Sequence, residues 1–116
     1  MITYALRMQS AVATENKIFL ALADPSRRAI FESLTRGEAA VKELTARFAI
    51  SQPAVSQHLA ALKDAGLVNA RREGRCAYYR VEPRGMKPLI DWIAHYRAFW
   101  TEHFDRLERL LEKMDE

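Results

Sequence analysis

The sequence predicts a mainly α-helical fold with one small β-hairpin, arranged as a winged helix-turn-helix, and three observations carry that prediction. Residues 39–67 hold two short amphipathic segments separated by a tight turn. Two alternating stretches follow directly, with Gly74 between them. A long run with apolar residues every three or four positions closes the chain. At 116 residues, 49% of them hydrophobic, the chain is long enough for one domain with a modest core and too apolar for disorder.

From the N-terminus, helix is expected from roughly Ser10 to Ala23, with Ile18, Leu22 and Phe19 on its apolar face. Asp24 is a good N-cap and Pro25 a good first residue for a second helix running through Ile30, Phe31 and Leu34 to Gly37. Arg27 and Arg28 fall near its start, where the helix dipole disfavours cations. Such placement points to a nearby anion, an internal carboxylate or a phosphate, with an internal partner expected for one of the two.

The next helix carries Val41, Leu44 and Phe48 as an i, i+3, i+7 stripe, and Ile50 sits in the turn. Ser51 can cap the following helix, with Pro53 in its first turn, where the missing N–H is not needed. Val55, Leu59 and Leu62 form that helix's core side, and Gly66 is placed to end it. Its opposite side holds Pro53, Ser56, Gln57 and Ala60, flanked by Gln52 and Lys63. A plain surface helix would use Glu, Lys and Arg there. Small and neutral hydrogen-bonding side chains instead suit a helix that enters a DNA major groove and meets base edges.

Two short strands then flank Glu73-Gly74-Arg75. Ala77, Tyr79 and Val81 alternate toward the core, leaving Cys76, Tyr78 and Arg80 outward, and Arg71, Arg72 and Arg75 crowd the tip. A hairpin directly after a helix-turn-helix is a wing, and basic wing tips reach phosphates or the minor groove. Charge agrees: residues 63–90 hold seven basic and three acidic groups, residues 91–116 four basic and seven acidic. A basic middle with an acidic tail points to a polyanion partner at the middle only.

Leu89, Ile93, Tyr96, Trp100, His103, Leu107 and Leu110 continue from Met86 to Met114 as a heptad seam, widened by Ile90, Trp92, Phe99, Phe104 and Leu111. So apolar a helix is expected to pack on the first helix and on a second copy of the chain. The expected layout is a helix-turn-helix over about 39–66, a wing over about 67–82 and dimerisation helices over about 10–23 and 85–114.

The stretch SQPAVSQHLAALKDAGLV with RREGRCAYYRVEP, preceded by ADPSRRAIFESL, resembles the ArsR family of winged-helix transcriptional repressors. The resemblance covers residues from about 15 to 83 closely and the last helix more loosely. It implies a homodimer that occupies a double-stranded DNA operator and leaves it when an inducer binds. It implies that Gln52, Ser56 and Gln57 read bases and that Arg75 touches the backbone or minor groove. Ser51, Pro53, Lys63, Arg71 and Arg72 complete the expected DNA-binding set. His58 is expected at the packed edge of its helix.

Some members sense metals, through paired cysteines on the first helix of the motif or through Asp-x-His with His-x-x-Glu on the last helices. Residues 38–44 contain no cysteine, and Asp91, His95, His103, Asp105 and Glu108 have other spacings, so no metal and no cofactor is expected. The sequence names no inducer. The aromatic group Trp92, Tyr96, Phe99 and Trp100 suits core packing better than a ligand pocket. Cys76, the one cysteine, excludes an internal disulfide and suits the cytoplasm, and a redox role at the wing is a minor alternative. No secretory signal and no membrane-spanning run is expected. No phosphate loop or catalytic constellation supports an enzyme. The reading is therefore a cytoplasmic, homodimeric, sequence-specific DNA-binding repressor released by a non-metal signal. The alternatives are a winged-helix protein-interaction module or a metal- or thiol-responsive repressor.

Overall fold

The computed structural model describes residues 2–115, with side-chain surroundings from residue 13 onward. Six helices and a small sheet follow one another as α1 (Ile2–Ala23), α2 (Pro25–Leu34), β1 (Ala39–Ala40), α3 (Val41–Phe48), α4 (Gln52–Asp64), β2 (Val68–Glu73), β3 (Cys76–Val81), a 3₁₀ turn (Pro83–Met86), α5 (Lys87–His95) and α6 (Arg97–Asp115). The winged helix-turn-helix expected from the sequence is present. Helix α1 begins at Ile2, well before Ser10, and α2 ends at Leu34, three residues short of Gly37.

Local chemistry sets the boundaries. The Asp24 carboxylate accepts from the Arg27 backbone N–H at 2.9 Å and Pro25 opens α2. That N–H, with lesser help from the nearby His58 and Arg27 charges, holds the Asp24 carboxyl below its usual range. Among the described residues, no ion pair joins Arg27 or Arg28 to a carboxylate. Their guanidinium groups donate to the carbonyls of Leu20 and Leu22, at 3.4 and 3.1 Å. Both cations therefore answer the negative end of α1.

Helix α3 ends at Ala49, a left-handed residue (φ 53°), and two residues later Ser51 accepts from the Ala54 N–H at 3.2 Å to start α4. At the far end of α4, Leu67 N–H bonds to the Leu62 carbonyl and Gly66 N–H to that of Lys63. With Gly66 at φ 79° this is a Schellman cap. Its apolar pair, Leu62 and Leu67, is fully buried.

The core is assembled from Ile18 and Ala21 of α1, Ile30, Phe31 and Leu34 of α2, Leu44 of α3, Val55, Leu59 and Leu62 of α4, and Leu67 and Val68 after it. Val41, Phe48, Ile50, Tyr79 and Val81 close its edges. Strand order is β1-β3-β2, all antiparallel. The two-residue β1 has no propensity or periodicity signal in its Ala-Ala sequence, and only tertiary pairing reveals it.

The C-terminal helix departs from expectation. The single helix of about 85–114 is two helices, α5 and α6, broken at Tyr96 (φ −102°, ψ 9°). Tyr96 N–H bonds to the Ile93 carbonyl, a tighter 3₁₀-type closure, and the Tyr96 carbonyl accepts from Trp100 N–H as α6 begins. No proline or glycine marks the spot.

Candidate nucleic-acid interface

Helix α4 presents its neutral side outward. Gln52, Pro53, Ser56, Gln57 and Ala60 are exposed, while Val55, Leu59 and Leu62 on the opposite side are fully buried. No side-chain hydrogen bond occupies Gln52, Ser56 or Gln57, and Lys63 has no ion-pair partner among the described residues. Ser51 differs, because its hydroxyl is taken up in the helix cap. His58 is half-buried, as expected, and its Nδ1 is buried without a hydrogen-bond partner among the described residues.

The wing has two unlike faces. Register pairs Val68 with Val81, Ala70 with Tyr79 and Arg72 with Ala77 on the side that meets the core. Asn69 with Arg80, Arg71 with Tyr78 and Glu73 with Cys76 share the outer side. Gly74 (φ 63°) and Arg75 form a two-residue turn, with glycine where the positive φ falls. Arg72 and Arg75 are exposed, and among the described residues neither has a hydrogen-bond or ion-pair partner.

Arg71 is not part of that free group. Its Nη2 and Nε donate to the two oxygens of Glu38, at 2.5 and 3.5 Å, and its Nη1 donates to Glu73 at 2.8 Å. The guanidinium lies 5.0 Å from the centre of the Tyr78 ring. The hydrogen bonds from Arg71 hold the Glu38 carboxyl below its usual range, and Glu38 with Glu73 raises the Arg71 pKa in turn. Sequence reasoning missed Glu38. The pair is 33 residues apart, and no local pattern announces it. Arg80 is likewise engaged: it donates to Asn69 at 2.7 Å, and Asn69 in turn donates to Glu82 at 2.6 Å.

The expected dimer residues lie mostly in the open. Leu89 is half-buried against the core, whereas Ile93, Tyr96, Trp100, Leu107 and Leu110 are 40–57% exposed, and His103 is also exposed. Phe19 of α1 meets Trp92 edge-on at 5.5 Å, and Trp92 meets Tyr96 at 5.2 Å, so aromatic packing joins α1 to α5. The groove of about 650 Å³ at the α5–α6 junction is lined by Ala94, Ala98, Thr101, Glu102, Asp105 and Arg109 among others, and by none of Trp92, Tyr96, Phe99 or Trp100. Among the described residues, no three His, Cys, Asp or Glu side chains gather as a metal set. Asp91 is paired with Lys87 at 2.7 Å, and His103 Nδ1 lies 2.9 Å from the Phe99 carbonyl. No described helix is long and apolar enough to cross a membrane.

Residues 24–70 match the family described as bacterial regulatory protein, arsR family. The HTH-type transcriptional regulator Rv2034 of Mycobacterium tuberculosis is 38% identical over 103 residues, spanning 89% of this chain and 94% of that protein. The transcriptional repressor SdpR of Bacillus subtilis is 32% identical over 70% of this chain and 90% of its own length. Among solved structures, the homodimeric winged helix-turn-helix DNA-binding domain of Mb0332 from Mycobacterium bovis superposes with a TM-score of 0.66 at 31% identity, covering 84% of this chain and 90% of that one.

Proposed function

The chain belongs to the ArsR family of bacterial regulatory proteins, DNA-binding transcriptional regulators, and we propose that it acts as a homodimeric repressor on a palindromic operator. The observation that carries this reading is the pairing of an exposed, uncharged α4 side with two unpartnered wing arginines. Gln52, Ser56 and Gln57 have the donors and acceptors to read base edges in the major groove, and Pro53 and Ala60 let the helix approach closely. Lys63, Arg72 and Arg75 supply charge toward phosphate or the minor groove. Ser51 and Arg71 support the reading surface from within the fold. Two copies joined through α1, α5 and α6 would carry two reading helices to half-sites about one helical turn apart.

Repression fits SdpR, whose name states that role. Release is assigned to a non-metal signal, because Asp91, His95 and His103 are spaced unlike a zinc set on one helix face. A regulator that works on bacterial DNA would act in the cytoplasm, and that is the compartment of this reading.

The test separates reading from charge. Gln57→Ala should cost about 1–3 kcal/mol on the operator selected from random DNA by the wild-type protein, and much less on unselected duplex. Arg75→Ala should weaken both DNAs by similar factors and lower the salt slope by about one. Equal losses on both DNAs for Gln57→Ala would remove α4 from the reading role.

A further inference from the structure

The wing is attached to the body at its base, where Val68, Tyr79 and Val81 pack on the core. Beyond that base Arg71 adds a side-chain tie, and it crosses the sheet. Arg71 stands on β2, at the edge away from β1. Its guanidinium passes over Tyr78, its register partner on β3, and grips Glu38, the residue just before β1. One side chain therefore spans all three strands. The pairing it reinforces is slight, since β1 meets β3 only at Ala39↔Tyr79 and Ala40↔Tyr78. Ala40 is also the N-cap position of α3, and Glu43 accepts from its N–H at 3.2 Å. The strap thus ends at the root of the helix-turn-helix itself.

All three guanidinium nitrogens of Arg71 face carboxylates, and two carboxylates offset its single charge. A phosphate would have to displace both. Arg72 near the end of β2 and Arg75 in the wing turn lie just beyond the strap, with no partner among the described residues.

We propose that Arg71 is a positioning residue, and that its fork on Glu38 fixes the wing beside the recognition helix so that Arg72 and Arg75 arrive on DNA already oriented. The proposal rests on the DNA-binding reading above. Holding the wing in place removes a freedom that binding would otherwise have to freeze, which raises affinity without adding a contact.

The experiment is a double-mutant cycle on the full chain, with operator and random duplex titrated at several salt concentrations. Glu38→Ala should weaken operator binding about tenfold although it removes a negative charge near the DNA. Arg71→Ala should match it, with the salt slope unchanged, and the double variant should be no worse than either single. Arg71→Lys should stay weak, because an ammonium keeps the charge but not the fork. The proposal is overturned if Glu38→Ala tightens binding, if Arg71→Ala lowers the salt slope by about one, if the two losses multiply, or if lysine restores affinity. Hydrogen exchange without DNA tests the strap alone: amides of 69–72 and 77–80 should lose protection equally in both singles. Unchanged protection overturns the strap, whereas lost protection in a protein that selects no DNA leaves the strap standing and sinks the DNA reading.

Discussion

Gly85 shows how a single hydrogen atom in place of a side chain can be obligatory. A Cβ built there would overlap the carbonyl oxygen of Gly66, backbone against backbone, with no flexible side chain to yield. Gly66 itself is held by the Schellman cap of α4, and Glu82 N–H bonds to the Leu67 carbonyl beside it. The 3₁₀ turn that leads to α5 therefore rests directly on the end of α4. Gly85→Ala should destabilise the fold by about 1–3 kcal/mol, as other forced overpacking does, with the loss read as a lower urea midpoint at unchanged slope. The arginines also matter one by one. Arg27, Arg28, Arg71 and Arg80 are spent on carbonyls, carboxylates and an amide within the fold, while among the described residues Arg72 and Arg75 have no such partner. Sequence composition cannot make that distinction, because it sees the same side chain in each case and not the partner 33 residues away.

Among the elements, α4 is nearly self-specifying. Ser51, Pro53 and Gly66 set its limits and Val55, Leu59 and Leu62 its buried side, each by local rules that the sequence displays. Ser51→Ala should cost about 1 kcal/mol of stability by urea unfolding. On protein that remains folded, it should change the preference for operator over random duplex far less than Gln57→Ala does. The wing was legible for a similar reason, since Gly74 and the alternation of Ala77, Tyr79 and Val81 define a hairpin within 14 residues. What was not legible arises from tertiary context. Strand β1 has only its pairing with β3 to define it. The break at Tyr96 interrupts a heptad pattern that runs through it without a breaking residue. Periodicity reports which side of a helix is apolar, and it does not report whether the axis stays straight.

The whole molecule is flat and spread out, 59 × 50 × 19 Å, with a radius of gyration of 18.7 Å, where a compact chain of this length would have about 13 Å. Helix α6 is open to solvent along its length, every residue from Arg97 to Met114 being exposed. Phe99, Trp100, Phe104, Leu107, Leu110, Leu111 and Met114 face water at 41–76% of their surface. A second copy of the chain is the occupant that the proposed homodimer supplies. That choice has a thermal consequence. Association that hides mainly apolar surface lowers the heat capacity and loses strength on cooling, because its enthalpy turns unfavourable faster than its entropic gain grows. Protomers paired at about 25 °C should therefore come apart in part at about 5 °C and the same concentration. Sedimentation at the two temperatures checks it, with Trp100→Glu as the reference for a 13.3 kDa species that does not pair at either. A regulator built this way would hold its operator less firmly in a cold cell than in a warm one, with no ligand involved, so that temperature itself becomes an input to the gene it controls.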